Sequence, residues 1–326
     1  MPELPEVEIL VRHLRPLLKR RTIRGVEIRR LKSLGGTPAR TFTRSLTGAT
    51  FTDLHRRGKY LIFHLRSPTL NHPSRRLVAP KPSEGGSQTK ADPSVIALAK
   101  SDQPLVAPKS DEGGSTVLVG HLGMTGRMYL LPANARLPRH AAVVLHFGRE
   151  KFVFEDTRYF GRLTLDTAPL EKLGPEPLDG EFSPAVLRAN LNRSRQPIKV
   201  RLLDQAVVAG VGNIYASEAL FRARISPRAR AGTLAEPRLA RLCAMIREVL
   251  TEAIHAGSTI PLNFRGDGQR DRLFYYGTAP DAAQQYEERL LVYDREKHPC
   301  PVCRTPIRRI TQSSRSTYYC PKCQKA

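Results

Sequence analysis

Leu4, Val7, Leu10, Val11, Leu14 and Leu18 recur at helical spacing and predict an amphipathic helix over residues 3–19. Glu3, Glu6 and Glu8 fall in its first turns and basic residues in its last, the distribution a helix dipole favours. Pro16 is expected to kink or shorten it. Beyond it come short strand-like runs at 22–28, 49–55, 60–65, 117–121, 142–146, 151–154 and 163–165. Turn residues separate them at the spacing of a β-sandwich or barrel. Helical spacing then returns. Ser183 is placed to cap a helix with Pro184 at its first position, and further helices are expected at 198–203, 214–223 and 236–256. In the last, Leu239, Leu242, Met245, Ile246, Val249, Leu250 and Ile254 form the buried stripe, with Gly257 closing it. The C-terminal segment reads as short strands again.

Two stretches break this pattern. Residues 67–115 carry the near-repeat LVAPKPSEGGS and LVAPKSDEGGS, rich in Pro, Gly, Ser and Lys, and read as a disordered insertion looping out between two strands. Residues 174–182 read as an interdomain linker. The fold class expected is therefore α+β: a strand-rich domain at 1–173, the linker, a helical domain at 183–295 and a small cysteine-bearing module at 296–326.

Composition adds a partner. The 326 residues carry 53 Lys and Arg against 30 Asp and Glu, a net charge of +23 spread along the chain. Such a surface suits a polyanion, because each neutralised phosphate releases counterions. No run approaches the ~20 apolar residues that span a bilayer, and the first residues lack the basic start and apolar stretch of a signal peptide, so a cytoplasmic protein is expected.

The strongest local signal is Cys300-x2-Cys303, sixteen intervening residues, and Cys320-x2-Cys323. Two such knuckles complete a tetrahedral S4 site for one Zn2+; with every position filled by sulfur the ion is structural. A redox dithiol would need one pair only. Cys243, among apolar helix positions, reads as a small buried residue. Around the pairs, Arg304, Arg308, Arg309, Arg315 and Lys322, with Gln312, Ser313, Ser314 and Thr317, form a hairpin suited to a phosphate backbone or a groove. In GVGNIYASE (210–218) two glycines permit a tight turn and Asn213 can cap the next helix, whose exposed amides would make a phosphate site. Loss of Met1 would leave Pro2 as a free secondary amine beside Glu3; an α-amino group titrates near pH 8, so part of it is neutral and nucleophilic at physiological pH.

Together these pieces resemble the bacterial formamidopyrimidine-DNA glycosylases. MPELPEVE, RRGKYL (56–61), HLGMTGR (121–127), LGPEPL (173–178), GVGNIYASE and the four-cysteine segment stand in that family's order and cover the chain apart from 67–115. The resemblance implies a β-sandwich flanked by helices, a helix–two-turns–helix domain and a zinc finger, with double-stranded DNA in the cleft between domains. It implies a monomer that removes 8-oxoguanine and formamidopyrimidines, with one structural Zn2+ and no redox cofactor. Pro2 would attack C1′ and form an imine, Glu3 would be its acid/base partner, and Glu6 would help order the site. Lys59 would contact the lesion phosphates, and Lys199, Asn213 and Arg315 would hold the backbone around the extruded nucleotide. Met124, Arg158 and Phe160 match the side chains that fill the gap in the duplex.

Three departures stand out. The segment usually reading DPRRFG is here Asp156-Thr-Arg-Tyr-Phe-Gly161, which bears on the expected preference for cytosine opposite the lesion. The region resembling the lesion-capping loop, 259–293, is longer than expected, and the 67–115 insertion has no counterpart. Two alternatives remain: a non-catalytic DNA-binding protein that keeps the fold, which would not require Pro2, Glu3 and Lys59 together, and a glycosylase for oxidised pyrimidines, against which Leu4 stands where that group has glycine.

Overall fold

The computed structural model describes residues 2–67, 114–256 and 290–325. Helix α1 (Leu4–Leu18) forms where the periodicity places it, and Pro16 is accommodated near its C-terminal end, where little helix remains to be disrupted. Its apolar face meets two cores. Val7, Leu10, Val11, Leu14 and Leu18 pack into the strand domain, whereas Leu4 belongs to the core of the helical domain. The chain start is thereby wedged between the two.

The strand domain is a sandwich of two four-stranded antiparallel sheets. One has the order β1 (Gly25–Ile28), β6 (Ala141–His146), β7 (Glu150–Asp156), β5 (Gly126–Pro132). The other has β2 (Thr50–Arg57), β3 (Tyr60–Arg66), β4 (Ser115–His121), β8 (Arg162–Thr164). Phe51, Phe63, Phe152 and Phe154 fill the space between them, with Phe63 edge-on to both Phe51 and Phe152. Strand β5 was not among the expected runs. It is covered on both faces, Met128 facing the main core and Tyr129 an outer cluster with Val144 and Val153, so its sequence lacks a clean alternation. Helix α2 (Ala39–Leu46) was also missed, since only Phe42 and Leu46 are buried in a segment of threonines and arginines.

The insertion expected to loop out lies outside the described residues, apart from its edges. The strands it joins pair in register, Arg66 opposite Ser115, and Ser67 N–H donates to the Gly114 carbonyl at 2.8 Å. The ladder thus closes at the insertion's base as in an ordinary hairpin.

After a short α3 (Ala168–Glu171), residues 174–182 do not run free as a linker would. Arg57 donates to the Gly174 carbonyl at 2.7 Å, Ala209 N–H to Pro175 at 3.0 Å, and Phe182 is fully buried. The helical domain follows as α4 (Pro184–Leu191), α5 (Ile198–Leu202), α6 (Asn213–Arg222) and α7 (Glu236–His255). Ser183 Oγ caps α4 by accepting from Val186 N–H. Of the expected α7 stripe all members are buried except Met245, which is partly covered, and Gly257 lies outside the described residues. The C-terminal hairpin, β9 (Arg308–Gln312) and β10 (Arg315–Tyr319), turns through Ser313 and Ser314, both with positive φ, as a tight two-residue hairpin turn requires. The segment that leads into this module docks on α6: the buried Glu218 carboxylate accepts the amides of Leu291, Val292 and Tyr293 at 2.8–2.9 Å. Among the described residues no helix is long and apolar enough to cross a membrane.

Replacing residues 68–113 with an Asn-Gly turn is expected to preserve the fold and raise stability by about 2 kcal/mol, because the closed loop shortens. Thermal unfolding checks this; a lower midpoint would show that the segment contributes to the folded sandwich.

Candidate active site and nucleic-acid interface

Glu3 is the link between the chain start and α6. Its main-chain N–H donates to Glu6 Oε2 at 2.7 Å, and its carboxylate accepts the amides of Ile214 (2.9 Å) and Tyr215 (3.4 Å). The expected phosphate site at the start of α6 is therefore filled by a carboxylate of the protein itself. Asn213 is not the cap either: Gly212 holds that position and Asn213 is the first helical residue. The glycine is required by proximity, since a Cβ there would fall on the Glu3 carboxyl carbon. Next to it, Leu4 N–H donates to the Gly210 carbonyl at 3.0 Å, and Gln205 braces the loop by accepting from Gly210 N–H and donating to Val211. Pro2 is buried immediately ahead of this bonded pair.

Glu6 is fully enclosed. Tyr215 O–H donates to its Oε1 at 2.7 Å. Burial, and then the neighbouring Glu3, push its carboxyl above the usual carboxylate range. Two carboxyls one helical turn apart thus sit in different surroundings.

Lys59 lies on the two-residue β2–β3 turn and is buried to 5% exposure. Burial lowers its pKa, with Glu3 opposing and Arg315 reinforcing that shift. The turn is held from below: Gly58 N–H donates to Glu176, and Arg56 bridges Glu8 (2.9 Å) and Glu176 (2.7 Å). Tyr60 packs against His121, whose imidazole is pulled down to about 4 by burial and by Lys59.

Lys199 is 1% exposed and spends its three ammonium donors on Asn213 Oδ1 (2.8 Å), the Ser316 carbonyl (3.0 Å) and Thr317 Oγ1 (2.8 Å). Burial draws its pKa to about 7. Asn213 Nδ2 also donates to the Ser316 carbonyl at 3.0 Å. Thr317, expected along the phosphate-facing hairpin, is instead fully buried as an acceptor for this lysine. Arg315 heads β10 and is exposed, close enough to Lys59 and Lys199 to depress both.

Met124, Arg158 and Phe160 stand apart from this group and together with one another. Met124 and Phe160 are 40% and 51% exposed, and the Arg158 guanidinium lies over the Phe160 ring at 5.2 Å. Their loops are locked. Asp156, wholly buried, accepts from Thr125 Oγ1 (2.6 Å), Arg158 N–H (3.1 Å) and Gly161 N–H (2.7 Å). Gly123 has φ +61°, and a Cβ there would come within 2.6 Å of Gly161 N, so the two loops meet through backbone.

The cysteines close a third site. The Sγ atoms of Cys300, Cys303, Cys320 and Cys323 all lie within 4.8 Å of one another. A tetrahedron with Zn–S of about 2.3 Å has edges of about 3.8 Å, so the donor set fits Zn2+. Cys243 is buried away from them, its thiol pushed up to about 11.

Sequence reasoning missed Tyr215, Glu176, Gln205 and Tyr293. Tyr215 and Glu176 lie inside motifs it singled out, but their partners are distant in sequence. Tyr293 packs on Tyr318 and takes a long 3.5 Å bond from Asn213 Nδ2, with no motif to mark it. The region 259–293 lies outside the described residues up to 289.

Three family models match the chain. "Formamidopyrimidine-DNA glycosylase N-terminal domain" covers residues 1–163, "Formamidopyrimidine-DNA glycosylase H2TH domain" residues 173–263, and "Zinc finger found in FPG and IleRS" residues 297–326. The chain is 38% identical to the formamidopyrimidine-DNA glycosylase of Symbiobacterium thermophilum over 334 residues, 99% of this chain and 89% of that protein. A Lactococcus lactis Fpg (MutM) structure with N7-benzyl-Fapy-dG DNA is similar at TM-score 0.74 and 27% identity, covering both chains fully. A MutM complex with carbocyclic 8-oxo-G DNA matches at TM-score 0.73 and 27% identity, again over the whole of both chains.

The Glu6 contribution to stability is expected to fall as pH rises above 4.5, because a carboxyl whose folded pKa is raised binds more protons folded than unfolded in that window. Glu6→Gln removes that part of the slope. Urea unfolding across pH checks it: a variant with the same slope as the unsubstituted protein contradicts the buried-carboxyl reading.

Proposed function

Because the chain belongs to the formamidopyrimidine-DNA glycosylase family, we propose that it excises 8-oxoguanine and formamidopyrimidines from duplex DNA through the Pro2 amine and then cuts the strand. It is a base-excision-repair DNA glycosylase with a structural zinc finger. The observation that carries the proline mechanism is the placement of Pro2 between the domains, next to a carboxylate tied to the α6 amides.

With Met1 removed, the Pro2 nitrogen attacks C1′, the C1′–base bond breaks, and the base leaves with a proton. The Glu3 carboxylate, fixed beside the amine, moves protons as the sugar ring opens to the iminium. That cation acidifies the C2′ proton, and its loss expels the 3′ phosphate; a second elimination expels the 5′ phosphate. Lys59 and Arg315 supply positive charge where the phosphates lie, and Asn213 contacts the backbone beside them. Lys199, whose donors are engaged, acts by holding Arg315 and Asn213 in register. Met124, Arg158 and Phe160 fill the space left by the extruded nucleotide. A Zn2+ held by Cys300, Cys303, Cys320 and Cys323 would brace the hairpin that presents Arg315. One chain carries every group in this scheme, which favours action as a monomer.

Borohydride reduction with a duplex bearing 8-oxoguanine opposite cytosine is expected to give a covalent protein–DNA band that maps to the N-terminal peptide. Pro2→Gly should reduce the band strongly, and Glu3→Gln should slow cleavage by about 100-fold. Lesion binding without any trapped band or cleavage would favour a non-catalytic binding protein, and a mass spectrum retaining Met1 on active protein would remove the proline mechanism.

A further inference from the structure

Tyr159 sits between Arg158 and Phe160 with φ 54°, in the left-handed region that aromatic residues seldom adopt. Such a conformation persists where the surroundings over-determine it, and it concentrates at functional sites. Two contacts from other elements hold this one. The Tyr159 hydroxyl shares a 2.9 Å hydrogen bond with His140 Nδ1, and the Arg30 guanidinium lies over the ring at 4.8 Å from its centroid. Arg30 is itself anchored, donating its N–H to the Ala142 carbonyl at 3.1 Å, and His140 accepts from Asp156 N–H through its carbonyl at 3.1 Å.

The geometry has a directional consequence. Asp156 accepts from the amides of Arg158 and Gly161, on either side of Tyr159 and Phe160, but makes no bond to Tyr159 at the tip of the 156–161 loop. Tyr159 holds the tip, its side chain engaged by Arg30 and His140. The flanking Phe160 is left half exposed with Arg158 stacked on it. We propose that Tyr159, gripped by His140 and Arg30, is a positioning residue that presents Arg158 and Phe160 to the duplex and thereby sets how strictly the base opposite the lesion is read. This rests on the reading of Arg158 and Phe160 as the side chains that enter the helix.

The test compares Tyr159→Phe, which loses the hydrogen bond and keeps the ring, with Tyr159→Gly, which loses both and relieves the backbone. Single-turnover excision is measured with 8-oxoguanine opposite cytosine and opposite adenine, beside borohydride trapping on a single-stranded abasic site, which needs Pro2 but no wedge. Tyr159→Phe should slow excision opposite cytosine about 5-fold and shrink the cytosine-to-adenine ratio by a similar factor. Tyr159→Gly should do so at least as strongly, and trapping on the single strand should be unchanged in both. Unaltered ratios in the two variants overturn the proposal. Equal losses on every substrate, single strand included, overturn it as well, since they report a general defect. An unsubstituted protein that neither excises nor traps would overturn the catalytic reading, and this inference with it.

Discussion

The carboxylate of Glu3, held by the first amides of α6, is the interaction on which the rest of the molecule turns. A helix N-terminus leaves backbone N–H groups without partners and favours negative charge. In this fold that demand is met by a residue about two hundred positions earlier in the chain. One contact therefore satisfies the start of α6, joins the two domains and fixes the residue next to Pro2. The same region bears a second tie, Leu4 packed in the helical core while the rest of α1 packs in the sandwich. Pro2 is thus held where the packing of both domains meets.

The surrounding charged groups follow the same logic of being held by main chain or by buried partners. Glu176 fastens the turn that carries Lys59, using a residue from the stretch that joins the domains. Lys199 fastens the hairpin that carries Arg315. Glu218 fastens the segment leading into the zinc finger through three amides. Each of these groups is buried and saturated, whereas Arg315, Arg158, Phe160 and Met124 remain open to a ligand. The division separates groups that can meet DNA directly from groups that act through a neighbour.

Much of this was legible in the sequence because it is local. The spacing of Leu4 to Leu18 gives α1, the Ser183-Pro184 pair gives the start of α4, and the cysteine spacing gives a site whose sulfurs do converge. What was not legible depends on long-range contact. Strand β5, buried on both faces, shows no alternation, and α2 offers only two apolar positions. GVGNIYASE was read as a phosphate-binding turn from its own residues, yet its amides go to Glu3, which no local rule could have named. Lys199, which the resemblance sets against the DNA backbone, has its three donors engaged inside the protein, by acceptors that no local pattern marks.

The most direct test of this account is the single-turnover strand-cleavage rate of Gly212→Ala on a duplex containing 8-oxoguanine. A methyl group at Gly212 must displace the Glu3 carboxylate, while its backbone angles suit alanine as well as glycine. A fall of about 100-fold is expected, the scale of losing a positioned acid/base group. A rate equal to that of the unsubstituted protein would contradict it, because the chemistry would then not depend on where α6 holds Glu3.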